Sequence, residues 1–291
     1  MVGNGRLHGT VVLMPNPTIR TLTFLLCGMI LLETGCASDP GSDRRGPQEP
    51  NPLKVATWNI KHGLGMDGRL DLERVAATIR SFDADIVALQ EVDENVRRSG
   101  VVDQARWLGD RLGMHAAFGS FMDYQGGRYG LAILSGFPIE KSESWRLTEG
   151  NEPRVALAIE LTPVNGTPIT VVGVHFDWVD DDGFRFAQAS ETMKRLQALD
   201  TPWIVLGDFN DTPESRTMRG FHELGRDASK PGNARATFPA DEPAVEIDFI
   251  VTGPADHWGT NVAEVIDESI ASDHRPVIAV LEVPTDRIPR P

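Results

Sequence analysis

The sequence predicts a layered α/β domain whose β-sheets are mixed or antiparallel rather than wholly parallel. After residue 52, short apolar runs typical of strands alternate with amphipathic stretches that have the helical period. Several neighbouring runs are too close together for the crossover helix that parallel neighbours need. The length of 291 residues allows two domains, but one layered domain of about 230 residues accounts for the same pattern.

The predicted elements follow from apolar runs and from helix-capping residues. Strands are predicted at residues 53–58, 85–89, 129–134, 155–161, 169–174, 203–206, 247–251 and 276–281. Asp71 precedes a stretch of helical period that extends to residue 82, and Asp103 precedes another that ends at Leu112. Both aspartates are expected to cap their helices, and a third helix is predicted at residues 184–199.

The formal net charge of -14 at pH 7 restricts the partners of the protein. Tight sequence-independent binding to nucleic acid depends on lysine and arginine side chains that neutralise phosphates. A broad basic surface is therefore not expected. A local basic cleft is still compatible with this charge, and Arg97 with Arg98, or Lys194 with Arg195, would contribute to one.

The N-terminal 35 residues resemble a signal peptide. Arg20 precedes an apolar run at residues 22–32, which is shorter than the roughly 20 residues of a transmembrane helix and fits a signal-peptide core. Cys36 follows Gly35, as in the lipobox of bacterial lipoproteins, although Glu33 stands where an aliphatic residue is usual. Two alternatives follow: a lipoprotein that contacts the membrane through lipidated Cys36, or a protein that is simply secreted.

The remaining chain is divided at two further points. Residues 36–52 are rich in Pro, Gly, Ser and charge, which predicts a flexible linker. Residues 53–284 are predicted to form the catalytic domain, and residues 285–291 form a tail. The expected location is outside the cytoplasm, in the periplasm or the cell envelope.

Polar side chains are concentrated at the ends of the predicted strands, and such ends usually open onto one cleft. Those directly after a strand are Asn59, Glu91, His175, Asp208 and Asn210. Asp248 lies inside its predicted strand, and Asp273 and His274 precede the last one. Together they offer oxygen ligands for a hard cation and a carboxylate–imidazole pair for proton transfer, so Mg²⁺ or Mn²⁺ is the predicted cofactor.

Seven motifs occur in order along the chain. They are TWNIKHG at 57–63, DIVALQEVD at 85–93, YGLAILS at 129–135, GVHFD at 173–177, GDFND at 207–211, EIDFI at 246–250 and SDHRP at 272–276. With these motifs, residues 53–282 resemble the endonuclease/exonuclease/phosphatase superfamily. The resemblance implies a DNase I-like fold, which is a four-layer α/β sandwich with two packed mixed β-sheets flanked by helices.

The same resemblance implies a role for each motif residue. Glu91 would be the main metal ligand, assisted by Asp273 and by Asn59 directly or through water. Asp208 would orient or deprotonate the attacking water, and Asn210 would hydrogen-bond the charge that develops on the phosphate.

The two histidines of the motifs have separate implied roles. Asp248 would fix the tautomer of His274 and raise its basicity, as carboxylates do for catalytic imidazoles. His175 would donate to the phosphate or to the leaving oxygen. Whether Asp208 or His274 removes the proton from water is left open by the sequence.

Other residues are weaker candidates. Arg128 and Arg154 are possible phosphate contacts, and Trp178 and Tyr124 are candidates for an apolar lip. The pattern HFD followed by RFAQ, which contains Asp177, Arg185 and Gln188, is similar to bacterial members of the superfamily; Arg185 has the alternative role of bracing its helix.

The predicted activity is that of a metal-dependent phosphoric ester hydrolase, either a phosphodiesterase or a phosphatase. The negative net charge of the protein and its expected export favour a lipid headgroup or a small organic phosphate over nucleic acid as substrate. An extracellular or periplasmic nuclease is one alternative, and a catalytically silent surface binding protein is another. No protein partner is implied.

Overall fold

The computed structural model describes residues 52–164, 166–259 and 261–284. The predicted signal peptide, the linker up to residue 51 with Cys36, and the tail at 285–291 lie outside the described residues. Within the described part of the chain, no helix is long and apolar enough to cross a membrane.

Twelve strands and four α-helices are formed within these residues. The strands are β1 (Leu53–Asn59), β2 (Ile86–Glu94), β3 (His115–Tyr124), β4 (Gly127–Ser135), β5 (Lys141–Arg146), β6 (Val155–Leu161), β7 (Ile169–His175), β8 (Trp203–Asp208), β9 (Arg226–Asp227), β10 (Asp248–Gly253), β11 (Val262–Val265) and β12 (Val277–Leu281). The helices are α1 (Leu72–Phe82), α2 (Gln104–Leu112), α3 (Gly183–Gln197) and α4 (Arg216–Leu224).

The strands form two six-stranded sheets of mixed direction. The first sheet has the order β11-β12-β1-β2-β4-β3, and the second has the order β5-β6-β7-β8-β10-β9. The pairs β1–β2 and β7–β8 are parallel, whereas the other neighbouring pairs are antiparallel. Each sheet therefore has a parallel pair of strands at its centre. Strand β1 of the first sheet and strand β8 of the second both end at the site described below.

Apolar side chains fill three layers between the secondary-structure elements. The largest cluster, which includes Ile133, Leu157 and Ile204, lies between the two sheets. Helices α1 and α2 cover the outer face of the first sheet, and α3 and α4 cover that of the second. The predicted four-layer sandwich of two packed mixed sheets flanked by helices is confirmed.

Helices α1 and α2 begin where their capping residues were predicted. The side chain of Asp71 accepts a hydrogen bond from the backbone N–H of Arg74, and that of Asp103 accepts one from Arg106. Such caps satisfy backbone donors that have no partner inside the helix.

Several elements were not predicted because they lack a continuous apolar run. Strand β5 lies at a sheet edge, and of its residues only Trp145 is buried. Strand β3 also lies at an edge and alternates between buried and partly exposed positions in its middle. Helix α4 contains Gly220, which lowers the intrinsic preference for helix, and its packing on α3 compensates.

The structure changes two placements near the site. Strand β2 continues to Glu94 instead of ending before Gln90, and a bulge between Leu89 and Val92 contains Glu91 with a φ of 57°. Bulges redirect side chains, which explains how a residue inside a strand reaches a cleft. Asp248 is the first residue of β10 and not inside its strand as predicted.

The packing between the sheets leads to a stability prediction. Leu157→Ala removes a fully buried side chain and should lower the free energy of unfolding by about 2–5 kcal/mol. Leu70→Ala makes the same change at a residue that is 44% exposed and should cost less than about 1 kcal/mol. Urea denaturation of both variants measures the difference, and equal losses would contradict the assigned core.

Candidate active site

The site lies where three central strands end. Asn59 is the last residue of β1, His175 the last of β7 and Asp208 the last of β8. In the second sheet, the pairing places His175 beside Asp208 on one side and Asp248 beside it on the other. Backbone pairing therefore fixes an imidazole and two carboxylates in one row.

The glycine of the GDFND motif allows the strands to approach at this point. Gly207 has a φ of 156°, and a Cβ atom added there would lie 2.0 Å from the backbone oxygen of Val174 on β7. Any other residue would force β7 and β8 apart directly before Asp208. The spacing between His175 and Asp208 therefore depends on this glycine.

The carboxylate of Asp208 is the centre of the cluster. Its Oδ1 accepts a hydrogen bond from the backbone N–H of Asn210 at 2.9 Å, and its Oδ2 accepts one from the side-chain amide of Asn59 at 3.2 Å. The same Oδ2 lies 3.5 Å from Nε2 of His175 and 3.6 Å from Nε2 of His274. Burial raises the pKa of Asp208 to about 7, against the opposing effect of the His274 charge.

His274 is held between two carboxylates. Its Nδ1 lies 3.0 Å from Oδ2 of Asp248, and its ring packs against Phe238 with 4.9 Å between ring centroids. Burial by itself lowers the pKa of this imidazole, but the charges of Asp248 and Asp208 outweigh burial and raise it to about 10. His274 is therefore an imidazolium at neutral pH, with Nδ1 donating to Asp248.

His175, in contrast to His274, has a neutral imidazole. Burial lowers its pKa well below 6.5, and the positive charges of Arg154 and His274 lower it further. Its Nδ1 is buried without a hydrogen-bond partner among the residues that the structure describes. The site thus combines one neutral and one charged imidazole on either side of Asp208.

Glu91 and Asp273 form the part of the site that fits a hard cation. The side-chain amide of Asn59 donates to Oε1 of Glu91 at 3.1 Å, and Lys61 Nζ lies 2.7 Å from Oδ2 of Asp273. Burial raises the pKa of Glu91, and the charge of Asp273 raises it further. A divalent cation would neutralise this pair, and carboxylate oxygens are the donors that Mg²⁺ and Mn²⁺ prefer.

A second group has metal-ligand spacing, because one donor atom from each of Asp208, Asp248 and His274 lies within 4.8 Å of the others. These donor atoms, however, already interact with one another. The Nδ1 atom of His274 lies 3.0 Å from Oδ2 of Asp248, and a cation bound at this ring would have to displace a proton, because the neighbouring carboxylates raise the pKa of the ring. Glu91, Asp273 and Asn59 could therefore hold a cation, and the second group could transfer protons.

A cavity of about 460 Å³ joins the two groups. Of the predicted catalytic and metal-binding residues, all but Asp248 line it, namely Asn59, Glu91, His175, Asp208, Asn210, Asp273 and His274. Asp248 lies behind His274 and acts on the cavity through that ring.

The weaker candidates separate into two groups. Arg154 and Trp178 line the cavity. Arg128 is half-exposed, pairs with Glu94 across the β2–β4 ladder and does not line it, so its predicted phosphate contact gains no support from its position. Tyr124 packs against Tyr129 and the guanidinium of Arg98 instead of forming a lip.

Three further cavity residues, Tyr129, Glu152 and Phe238, were not predicted. Glu152 and Phe238 come from irregular loops, and no strand pattern points to either of them. Tyr129 begins a motif, but it was assigned only to a predicted strand and not to the site. The only sequence feature that pointed to Glu152 as a cavity residue was its position two residues before Arg154.

The sandwich and the cavity define a layered α/β protein with a buried carboxylate–imidazole site. The sequence pattern of the Endonuclease/Exonuclease/phosphatase family matches residues 56–274. The chain belongs to this family and is one of its hydrolases. Members of the family act on phosphoesters and typically use divalent metals, which agrees with the donor atoms found here.

Similar proteins cover most of the chain. The uncharacterized protein YbhP of Escherichia coli K12 is 28% identical over 248 residues, which are 79% of this chain and 96% of that protein. The solved endonuclease/exonuclease/phosphatase of Bacteroides vulgatus has a TM-score of 0.67 at 22% identity, covering 80% of this chain and 99% of its own. The mannosyl-6-phosphatase Bt3783 of Bacteroides thetaiotaomicron has a TM-score of 0.66 at 18% identity, covering 79% and 99%. These structures support the fold.

The charge states of the two imidazoles can be measured. In protein freed of metal by a chelator, ring ¹⁵N NMR should show His274 protonated up to about pH 10 and His175 neutral at pH 6.5 and above. Asp248→Asn should lower the pKa of His274, because the variant lacks the carboxylate charge that favours the imidazolium. Titration of both rings near pH 6.5 would contradict the assigned electrostatics.

Proposed function

We propose that the protein is a divalent-metal-dependent hydrolase of phosphoester bonds that acts outside the cytoplasm. The observation that carries the proposal is the position of Asp208, whose Oδ2 lies within 3.6 Å of both site imidazoles in a cavity that also contains Glu91 and Asp273. A base, two nitrogen donors and a cation site are what in-line attack of water on phosphorus requires.

In the proposed reaction, a water oxygen forms a bond to phosphorus while the bond from phosphorus to the leaving oxygen breaks. The leaving oxygen takes a proton from the His274 imidazolium, which the proton taken up by Asp208, 3.6 Å away, then restores. Asp208 accepts the proton of the attacking water, since its neighbour His274 is already protonated. A divalent cation bound by Glu91, Asp273 and Asn59 would supply positive charge for the phosphate oxygens.

Three donors stabilise the charge that develops during attack. His274 contributes its positive charge, and His175 presents a neutral imidazole at the same carboxylate. The amide of Asn210 is held in position because its nitrogen donates to the backbone oxygen of Phe176 at 3.1 Å. Preorganised donors of this kind stabilise a transition state without the cost of reorienting solvent.

A small organic phosphate or a lipid headgroup is the favoured substrate. The cavity of about 460 Å³ has the size of a small-molecule site, and the net charge of -14 opposes the long phosphate backbone of nucleic acid. The name of the Bacteroides mannosyl-6-phosphatase, a structural neighbour, is compatible with a small phosphate ester.

Export is supported by the sequence alone. The apolar run at 22–32 and the Gly35-Cys36 pair favour a lipoprotein that is held in the cell envelope by acylated Cys36. In the native host, the wild-type protein should incorporate labelled palmitate and sediment with membranes, whereas Cys36→Ser should lose both properties. A soluble periplasmic wild type would favour plain secretion, and a cytoplasmic one would overturn export.

The activity itself is tested on 4-nitrophenyl phosphate and bis(4-nitrophenyl) phosphate, together with lipid, sugar-phosphate and nucleic-acid substrates. The purified protein should hydrolyse at least one small ester with Mg²⁺ or Mn²⁺ present, and EDTA should abolish the activity. His274→Ala should lower kcat by about 100-fold or more, because proton transfer and charge stabilisation both depend on this ring.

His222→Ala is the matched control. His222 is also paired with an aspartate, Asp227 at 2.8 Å, but it is partly exposed and does not line the cavity. This variant should keep the wild-type rate. An inactive wild type across the whole panel would refute the proposed function, and equal rates in the two variants would refute the role of His274.

A further inference from the structure

We propose that Arg154 makes the site selective for phosphomonoesters, by binding the terminal phosphate oxygen that a diester lacks. The inference rests on the proposed function and concerns which class of ester the site accepts. It depends on the burial of Arg154, on its incomplete hydrogen bonding and on the structure that holds its loop.

Arg154 is a buried cation at the wall of the cavity. It immediately precedes β6, is only 2% exposed and lines the same cavity as Glu91 and His175. Its guanidinium carbon lies 4.9 Å from the centroid of the Phe121 ring. Burial of a charge is costly unless the charge is paired and its donors are satisfied.

The hydrogen bonding of this guanidinium is incomplete. Its Nη2 donates to Oε2 of Glu152 at 3.0 Å. Its Nε and Nη1 are buried and have no hydrogen-bond partner among the described residues. A planar guanidinium with free donors is suited to phosphate oxygens, which it binds by charge-assisted hydrogen bonds.

Two loops at this wall are tied together by Asp177, which is fully buried. Its Oδ2 accepts the backbone N–H groups of Asn151 at 2.6 Å and Glu152 at 3.3 Å, and its Oδ1 accepts that of Val179 at 3.3 Å. The loop that leads to Arg154 is therefore fixed to the loop that contains Trp178.

The other residues of the HFD and RFAQ pattern complete the same connection. The Nη1 of Arg185 donates to the backbone oxygens of Asp177 and Val179, at 3.0 Å each. Gln188 accepts from the backbone N–H of Asp177 at 2.9 Å and donates to the backbone oxygen of Thr148 at 3.4 Å. These residues position the wall, and Arg154 is the charged group that the wall presents to the cavity.

The chemistry of the two ester classes explains the expected selectivity. A monoester dianion has three terminal oxygens, whereas a diester has two and carries a second organic group in place of the third. In the proposed reaction, the cation site, His175, His274 and Asn210 would contact phosphate oxygens that both ester classes have. The additional buried guanidinium of Arg154 would favour a monoester, which has a third charged oxygen. In a diester, the second organic group would face this unpaired positive charge.

The test compares kcat/KM for 4-nitrophenyl phosphate and bis(4-nitrophenyl) phosphate in the full chain with Mg²⁺ or Mn²⁺. Arg154→Met should lower the monoester value by about 30-fold and the diester value by less than about threefold. Arg154→Lys, which keeps the charge without the planar fork, should give an intermediate monoester loss. Arg128→Met, the control at an arginine outside the cavity, should change neither value.

A second measurement uses the wild type and does not depend on the folding of any variant. Methyl phosphate should inhibit at concentrations at least about tenfold lower than dimethyl phosphate, since only the former offers a third terminal oxygen. Equal losses for both esters in Arg154→Met, or equal inhibition by the two phosphates, would overturn the selectivity while the proposed function stands. A wild type inactive on every phosphoester would instead refute the proposed function.

Discussion

The hydrogen bond between Asn59 and Asp208 joins the two sheets at the edge where the chemistry is located. Asn59 ends β1 in the first sheet, Asp208 ends β8 in the second, and the two side chains are 3.2 Å apart. The same amide nitrogen also donates to Glu91. One side chain thus sets the distance between Glu91, in the proposed cation site, and Asp208, the proposed base, and relative movement of the sheets would separate them.

This arrangement keeps several charged groups buried, and hydrogen bonds from outside the cavity hold the backbone of those residues in place. Lys230 is itself buried and donates to the backbone oxygen of Asp248 at 2.7 Å. The indole nitrogen of Trp58 donates to the backbone oxygen of His274 at 2.8 Å. Such contacts keep the Asp248–His274 pair in one geometry, which is needed if its electrostatics are to act on substrate without reorganisation.

The sequence was sufficient to predict which strand-end residues lie at the site. It was not sufficient for residues whose position depends on a partner that is distant in sequence. Asn59, His175 and Asp208 could be predicted because apolar runs end directly before them, and the sheet brings such ends together. Arg128 and Arg154 carried similar signals, yet only Arg154 lines the cavity. The difference lies in strand register, since Arg128 is placed opposite Glu94, and a single sequence does not reveal that pairing.

In the proposed mechanism the cation and the transferred proton use separate carboxylates, and locating a bound Mn²⁺ tests this separation most directly. A crystal structure with Mn²⁺, with the ion located by its anomalous scattering, should show the ion bound by Glu91 and Asp273, with Asn59 contributing directly or through water. His274 should remain hydrogen-bonded to Asp248 in that structure. An ion coordinated by Asp208, Asp248 and His274 would contradict the account.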